Sequence, residues 1–160
     1  MEVERAIYIY PKDENIDYET LKRELRNMGL RVVDIRVCRM VEIDVLGKGE
    51  EKKEEEVLFK LLGNPIDVIY VGRNINKSLD ELLSNGFYWL IHETLEDKWR
   101  KTEGEEKELL HSAILIAVAL IKFCKGEYEI ARQTLLRSYQ ENPIWMIILT
   151  LFLTPLLLEP

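Results

Sequence analysis

Asn85-Gly86-Phe87-Tyr88-Trp89-Leu90-Ile91-His92-Glu93-Thr94-Leu95-Glu96-Asp97-Lys98-Trp99-Arg100 sets the character of everything that follows it in the chain. A small-residue turn opens the run. Trp89, His92, Glu96 and Trp99 then recur at helical spacing, which predicts that they share one face of a helix over 87–101. Two indoles, an imidazole and a carboxylate make neither an ordinary core stripe nor a solvated one. Glu93, four residues after Trp89, falls at the edge of the same stripe.

Outward from this helix the C-terminal half reads as helical throughout. Further helices are expected at 79–84, 105–125, 128–141 and 144 to about 154. The stretch Ala113 to Ile121 is apolar nearly all round, so its helix should be the buried centre of a bundle. Gly126-Glu127-Tyr128-Glu129-Ile130-Ala131, followed by Leu135, Ser138 and Asn142-Pro143, is similar to the second half of a tetratricopeptide repeat. Ala131 and Ser138 would let a neighbouring helix approach closely. One helix-turn-helix unit cannot make a solenoid, so the likeness predicts local packing and not an array.

The turn, the aromatic, His92-Glu93, a second Glu three residues on and then Trp99 resemble the signature of the domain of unknown function 309 family. The resemblance continues through Leu109–Leu120 and Lys125–Leu136, covers Leu82 to Asn142, and leaves the N-terminal half unmatched. It implies a helical domain and no settled activity. One departure stands out: where the family commonly shows Gln-Gly, this chain has His111-Ser112.

The N-terminal half reads differently. Glu2 to Tyr10 alternates as a strand, and a helix capped by Asp17 carries Tyr18, Leu21, Leu25 and Met28 on one face before Gly29. Val32 to Leu46 reads as one long strand, with apolar residues at the odd positions from Val33 to Val45 and Asp34, Arg36, Glu42 and Asp44 on the other parity. Arg39 breaks the pattern; a bulge near Cys38 explains it, with an anion ligand as the sharper alternative. Glu50 to Leu62 reads as a helix with an acidic, solvated start, and Ile66 to Val71 as a strand covered on both sides. The order βαβαβ favours a small, mainly parallel sheet. The expectation is therefore α+β overall, with a small α/β domain over 1–76 and a helical bundle over 77–160. Arg73 and Lys77 lie near the capping box Ser78-Leu79-Asp80-Glu81, where a helix N-terminus could hold an anion.

Composition narrows the classes. Apolar residues make up 47% and charged residues 32%, which describes a globular chain and excludes a disordered one. The net charge of −7 is spread evenly, with no basic half to track a phosphate backbone, so nucleic acid is not an expected partner. Cys38 and Cys124 show no metal-binding or redox spacing, and the charged start carries no secretory signal. Two buried thiols in a reducing cytoplasm are expected. The Glu- and Lys-rich, Gln-poor make-up is of the kind found in thermophilic proteins. Pro143 to Leu158 carries no charge, yet its helical part is too short to span a membrane. A helix without a polar face must be covered on all sides, so a homo-oligomer is expected, joined through this segment.

Three readings compete for His92, Glu93 and Glu96. In the first, His92 pairs with Glu96 one turn away while Trp89 and Trp99 pack around them, and the site is structural or a binding surface. In the second, His92 and Glu96 share a divalent metal with His111 as a third ligand, an arrangement akin to the zincin motif with its second ring replaced. In the third, a carboxyl raised by an indole works with His92 in metal-free acid–base chemistry. The sequence favours a non-enzymatic, self-associating binding or scaffold module without a cofactor. A metal-dependent hydrolase using His92, Glu93 and Glu96 is the alternative.

Overall fold

The computed structural model describes residues 5–47, 51–71, 75 and 77–143, the side chains of 51 and 52 excepted. The chain divides into two compact units, residues 1–77 and 78–160. The fold class is α+β, as the sequence implies: a small sheet with two helices comes first, then helices only.

The first unit runs β1 (Arg5–Pro11), α1 (Tyr18–Asn27), β2 (Val32–Val37), β3 (Met40–Leu46), α2 (Glu51–Leu62) and β4 (Asp67–Val71). Its order is βαββαβ, and the expected single strand over Val32–Leu46 is two. The sheet is antiparallel in the order β2-β3-β1-β4, which corrects the parallel arrangement. The cause is the turn at Cys38–Arg39, where the Cys38 amide donates to the Met40 carbonyl at 3.0 Å. The hairpin pairs Val37 with Val41, Arg36 with Glu42 and Ile35 with Ile43, symmetrically about Arg39. Partners placed symmetrically about one residue keep the same parity, so the fold leaves the alternation of a continuous strand intact. Arg39 sits on the apolar parity because it is the exposed apex. The bulge lies instead between Val32 and Asp34.

One face of the sheet presents Ala6, Tyr8, Tyr10, Val32, Val41, Ile43 and Val45 to Leu21 and Leu25 of α1 and Leu58 of α2, which together form a core. The α1 helix starts where expected, with the Asp17 carboxylate accepting from the Glu19 and Thr20 amides. Gly29, at φ 92°, ends that segment in a conformation that L side chains rarely adopt. The strand β4 is at the sheet edge and only half-buried, so it lacks the two-sided cover its apolar run implies.

The charged parity of the hairpin forms an ion cluster. Asp44, fully buried, accepts from Arg5 and from Arg36 Nη2, the latter at 2.9 Å. Glu42 is also buried, with Oε1 3.8 Å from Arg36 Nε and no hydrogen-bond partner among the described residues. Burial pushes its carboxyl up to about 7; Arg36 opposes the shift, and Asp44 and Asp34 add to it. Cys38 and Cys124 stand at the ends of elements, where cover is incomplete. Both are half-buried and neither is a free thiol, which corrects the expectation of two buried thiols.

The second unit contains α3 (Leu79–Asn85), α4 (Tyr88–Arg100), α5 (Glu105–Cys124) and α6 (Tyr128–Glu141). The α5 helix is the buried centre, with Leu110, Ser112 to Ala117 and Ala119 covered. It packs against α4 and α6. The α5–α6 contact is close because small residues meet there. Ser112 Oγ donates to the Ser138 carbonyl at 3.0 Å and Ser138 Oγ to the Ser112 carbonyl at 2.8 Å, both side chains fully buried. Ser112 thus keeps the helices near one another while adding a reciprocal pair of hydrogen bonds. Residues 144–160, which carry most of the uncharged stretch, lie outside the described residues. No helix among the described residues is long and apolar enough to cross a membrane.

Candidate functional site

Helix α4 is positioned by a glycine. Gly86 adopts φ 76°, and the Phe87 amide donates back to the Leu82 carbonyl at 2.9 Å, so α3 ends and α4 begins within three residues. Leu90 and Ile91 are buried. Trp89, His92, Glu93, Glu96 and Trp99 are all half-buried, as a face that is neither core nor open surface requires.

His92, Glu93 and Glu96 converge. One ligand atom from each can be chosen so that all three lie within 4.8 Å of one another. His92 Nδ1 is 3.4 Å from Glu93 Oε1, and Glu96 Oε1 is paired with Arg100 Nη2 at 3.2 Å. The expected His92–Glu96 hydrogen bond is thus replaced by two other pairings. Glu93, which the sequence places at the edge of the stripe, is the closer partner of the imidazole.

His111 has a different setting. Its Nδ1 is 2.7 Å from Glu141 Oε2, joining α5 to α6, and its ring lies 6.3 Å from that of Trp99. Lys107 Nζ stands 4.5 Å from the centre of a Trp99 ring. Trp99 therefore packs against a cation and an imidazole, both from α5, while the three-donor cluster is drawn from α4 alone.

At the junction before α3 the capping box forms as read. Ser78 Oγ accepts from the Glu81 amide and Glu81 Oε2 accepts from the Ser78 amide at 2.9 Å. Lys77 pairs with Asp67 at 2.6 Å. Arg73 lies outside the described residues. The buried Arg5–Arg36–Glu42–Asp44 cluster escaped the sequence reading, because charges at alternate strand positions look the same whether that face is solvated or covered.

A donor set of one imidazole and two carboxylates suits a divalent transition ion. Around such an ion, bonds near 2.1 Å would bring donors to about 3.4 Å apart in tetrahedral geometry. To hold an ion, a spread of up to 4.8 Å would have to close by rotation of the half-exposed side chains. Residues 79–134, covering α3 to the middle of α6, match the family model described as domain of unknown function (DUF309), the family that the helix signature resembles. The N-terminal unit lies outside that match. Neither the curated proteins nor the solved structures gave a match.

Proposed function

We propose that the chain is a binding module whose ligand site is the His92–Glu93–Glu96 corner of α4, and that the ligand there is a divalent transition-metal ion. The convergence of the three donors within 4.8 Å supports this reading. A metal would compete with Arg100 for Glu96, so binding should free that guanidinium. Three ligands from a single helix occupy one side of an ion and leave the other open to water, a substrate or a partner's side chain. The open side supports the second reading, a metal-dependent hydrolase. The absence of any charge from Pro143 to Leu158 supports self-association as the means by which such a module would assemble.

Metal analysis of protein purified without a histidine tag is the first test, followed by calorimetric titration with zinc and manganese. One ion per chain, lost in His92→Ala and Glu96→Gln, is the expected result; a metal-free protein with no titratable site overturns it. Light scattering on dilute protein tests assembly. A monomer at all concentrations ends the self-association reading, whereas Ile148→Asp with Phe152→Asp should dissociate or precipitate an oligomer.

A further inference from the structure

Arg100 stands one turn beyond Glu96 on α4, with its Nη2 3.2 Å from Glu96 Oε1. Its side chain is well exposed, so the guanidinium can turn without disturbing the core. We propose that the α4 site, once it holds its divalent ion, takes a small oxyanion, a carboxylate or a phosphate group, with one oxygen on the open side of the ion and another on the Arg100 guanidinium. The inference rests on the reading of His92, Glu93 and Glu96 as metal ligands and names what the open side of that site receives.

Charge decides the ligand class. In the cluster of His92, Glu93, Glu96 and Arg100 the two carboxylates outnumber the guanidinium, so without the ion this corner repels anions. A divalent ion on a neutral imidazole and the two carboxylates turns a surplus of one negative charge into a surplus of one positive charge. Other charges of this part of α4 are matched already: Asp97 is paired with Lys101 at 2.7 Å and Lys98 with Glu106 at 2.9 Å. The same helix face therefore refuses anions without the metal and attracts them with it.

Distance brings in Arg100. Ligands on one ion, with bonds near 2.1 Å, stand about 3.4 Å apart in tetrahedral geometry, so an anion oxygen on the ion falls beside the Glu96 oxygen. The guanidinium already faces that carboxylate, and a small rotation carries it from the one oxygen to the other. Releasing Glu96 costs little, because exposed ion pairs one turn apart on a helix contribute little. Coordination also draws the charge of Glu96 toward the ion, which leaves the Arg100 N–H groups to donate charge-assisted hydrogen bonds to the ligand. A neutral ligand would gain the ion alone, and a cation would be repelled by both charges.

The test is calorimetric and uses the full chain without a histidine tag, loaded with zinc or manganese, whichever binds more tightly. Acetate, methylphosphonate and uncharged acetamide are added to the loaded chain and to the metal-free chain. At least one of the two anions should saturate the loaded chain with a dissociation constant of about 10 mM or below, and the tighter of them distinguishes a carboxylate from a phosphate ligand. Acetamide should not saturate, nor should either anion on the metal-free chain. Saturating anion should tighten metal binding by the same factor by which the metal tightens the anion. Arg100→Gln should keep or raise the metal affinity, since a competitor for Glu96 is gone, and should weaken the anion about tenfold. Lys98→Gln removes the same charge from another side of α4 and should change neither affinity. The inference is overturned, with the metal reading left standing, if the metal binds and neither anion saturates, if the metal-free chain binds the anions equally well, or if Arg100→Gln keeps wild-type anion affinity. A chain that binds neither metal overturns both readings.

Discussion

Replacing Glu42 with Gln should make the protein more stable at pH 8 while leaving it nearly unchanged at pH 5. The Glu42 carboxyl is buried beside Arg36 on the charged parity of the hairpin, and burial raises it from 4.5 to about 7. The folded state therefore holds a proton that the unfolded state has already released between those values. With more protons bound to the folded chain, stability falls as pH rises from about 4.5 to about 7 and then levels off. A displacement of that size corresponds to about 3 kcal/mol, at about 1.4 kcal/mol per tenfold change. Gln fills the same volume without ionising, so the variant should lose this slope. About 3 kcal/mol is the gain expected at pH 8, and the attraction of Arg36 at 3.8 Å is already contained in it, because the value near 7 is what remains after Arg36 opposes the effect of burial. Arg36 keeps Asp44 at 2.9 Å, so it is not left without a carboxylate. Urea unfolding followed by circular dichroism at pH 5, 6, 7 and 8 gives the measurement. A Glu42→Gln protein less stable than wild type at pH 8 would refute the reasoning, since the ionised carboxylate would then be a net stabilising partner of Arg36.

Ser138→Leu should cost about 1–3 kcal/mol or more, because a large side chain at the Ser112–Ser138 contact forces α5 and α6 apart; a melting temperature within error of wild type would show that this contact is not tight. His111→Gln replaces the imidazole that faces Glu141 on a half-exposed surface, so its cost should stay within about 1 kcal/mol. The same variant should keep the metal affinity of wild type if His92, Glu93 and Glu96 form the site, and a lost ion would place His111 among the ligands. Arg39→Ala changes an exposed hairpin apex, where even an ion pair contributes little, and should alter stability by no more than about 1 kcal/mol.

The helical half was legible because its signals are local. Helical spacing, the Ser78–Glu81 capping box and the glycine turn at Gly86 each act within a few residues, and the four helices expected among the described residues are present with ends close to those expected. The apolar girth of Ala113 to Ile121 likewise predicted α5 at the centre, since a helix without a polar face has no stable alternative. Residue chemistry also brought out His92, Glu93 and Glu96 as a group, because residues three and four apart on one helix, as Glu93 and His92 are from Glu96, are neighbours whatever surrounds them.

Tertiary structure settled what those spacings leave open. Side-chain parity is the same for one long strand and for a hairpin symmetric about Arg39, so the pattern from Val32 to Leu46 could not distinguish them, and with that went the direction of the sheet. Charges at Arg36, Glu42 and Asp44 mark one parity of the strand and leave open whether that face is covered, because burial belongs to the whole chain and not to the strand. The pairing of Glu96 with Arg100 and of His111 with Glu141 depended on rotamers and on the rotation of α6 against α5. Neighbours along one element are written in the sequence; neighbours across elements exist only once the chain has folded.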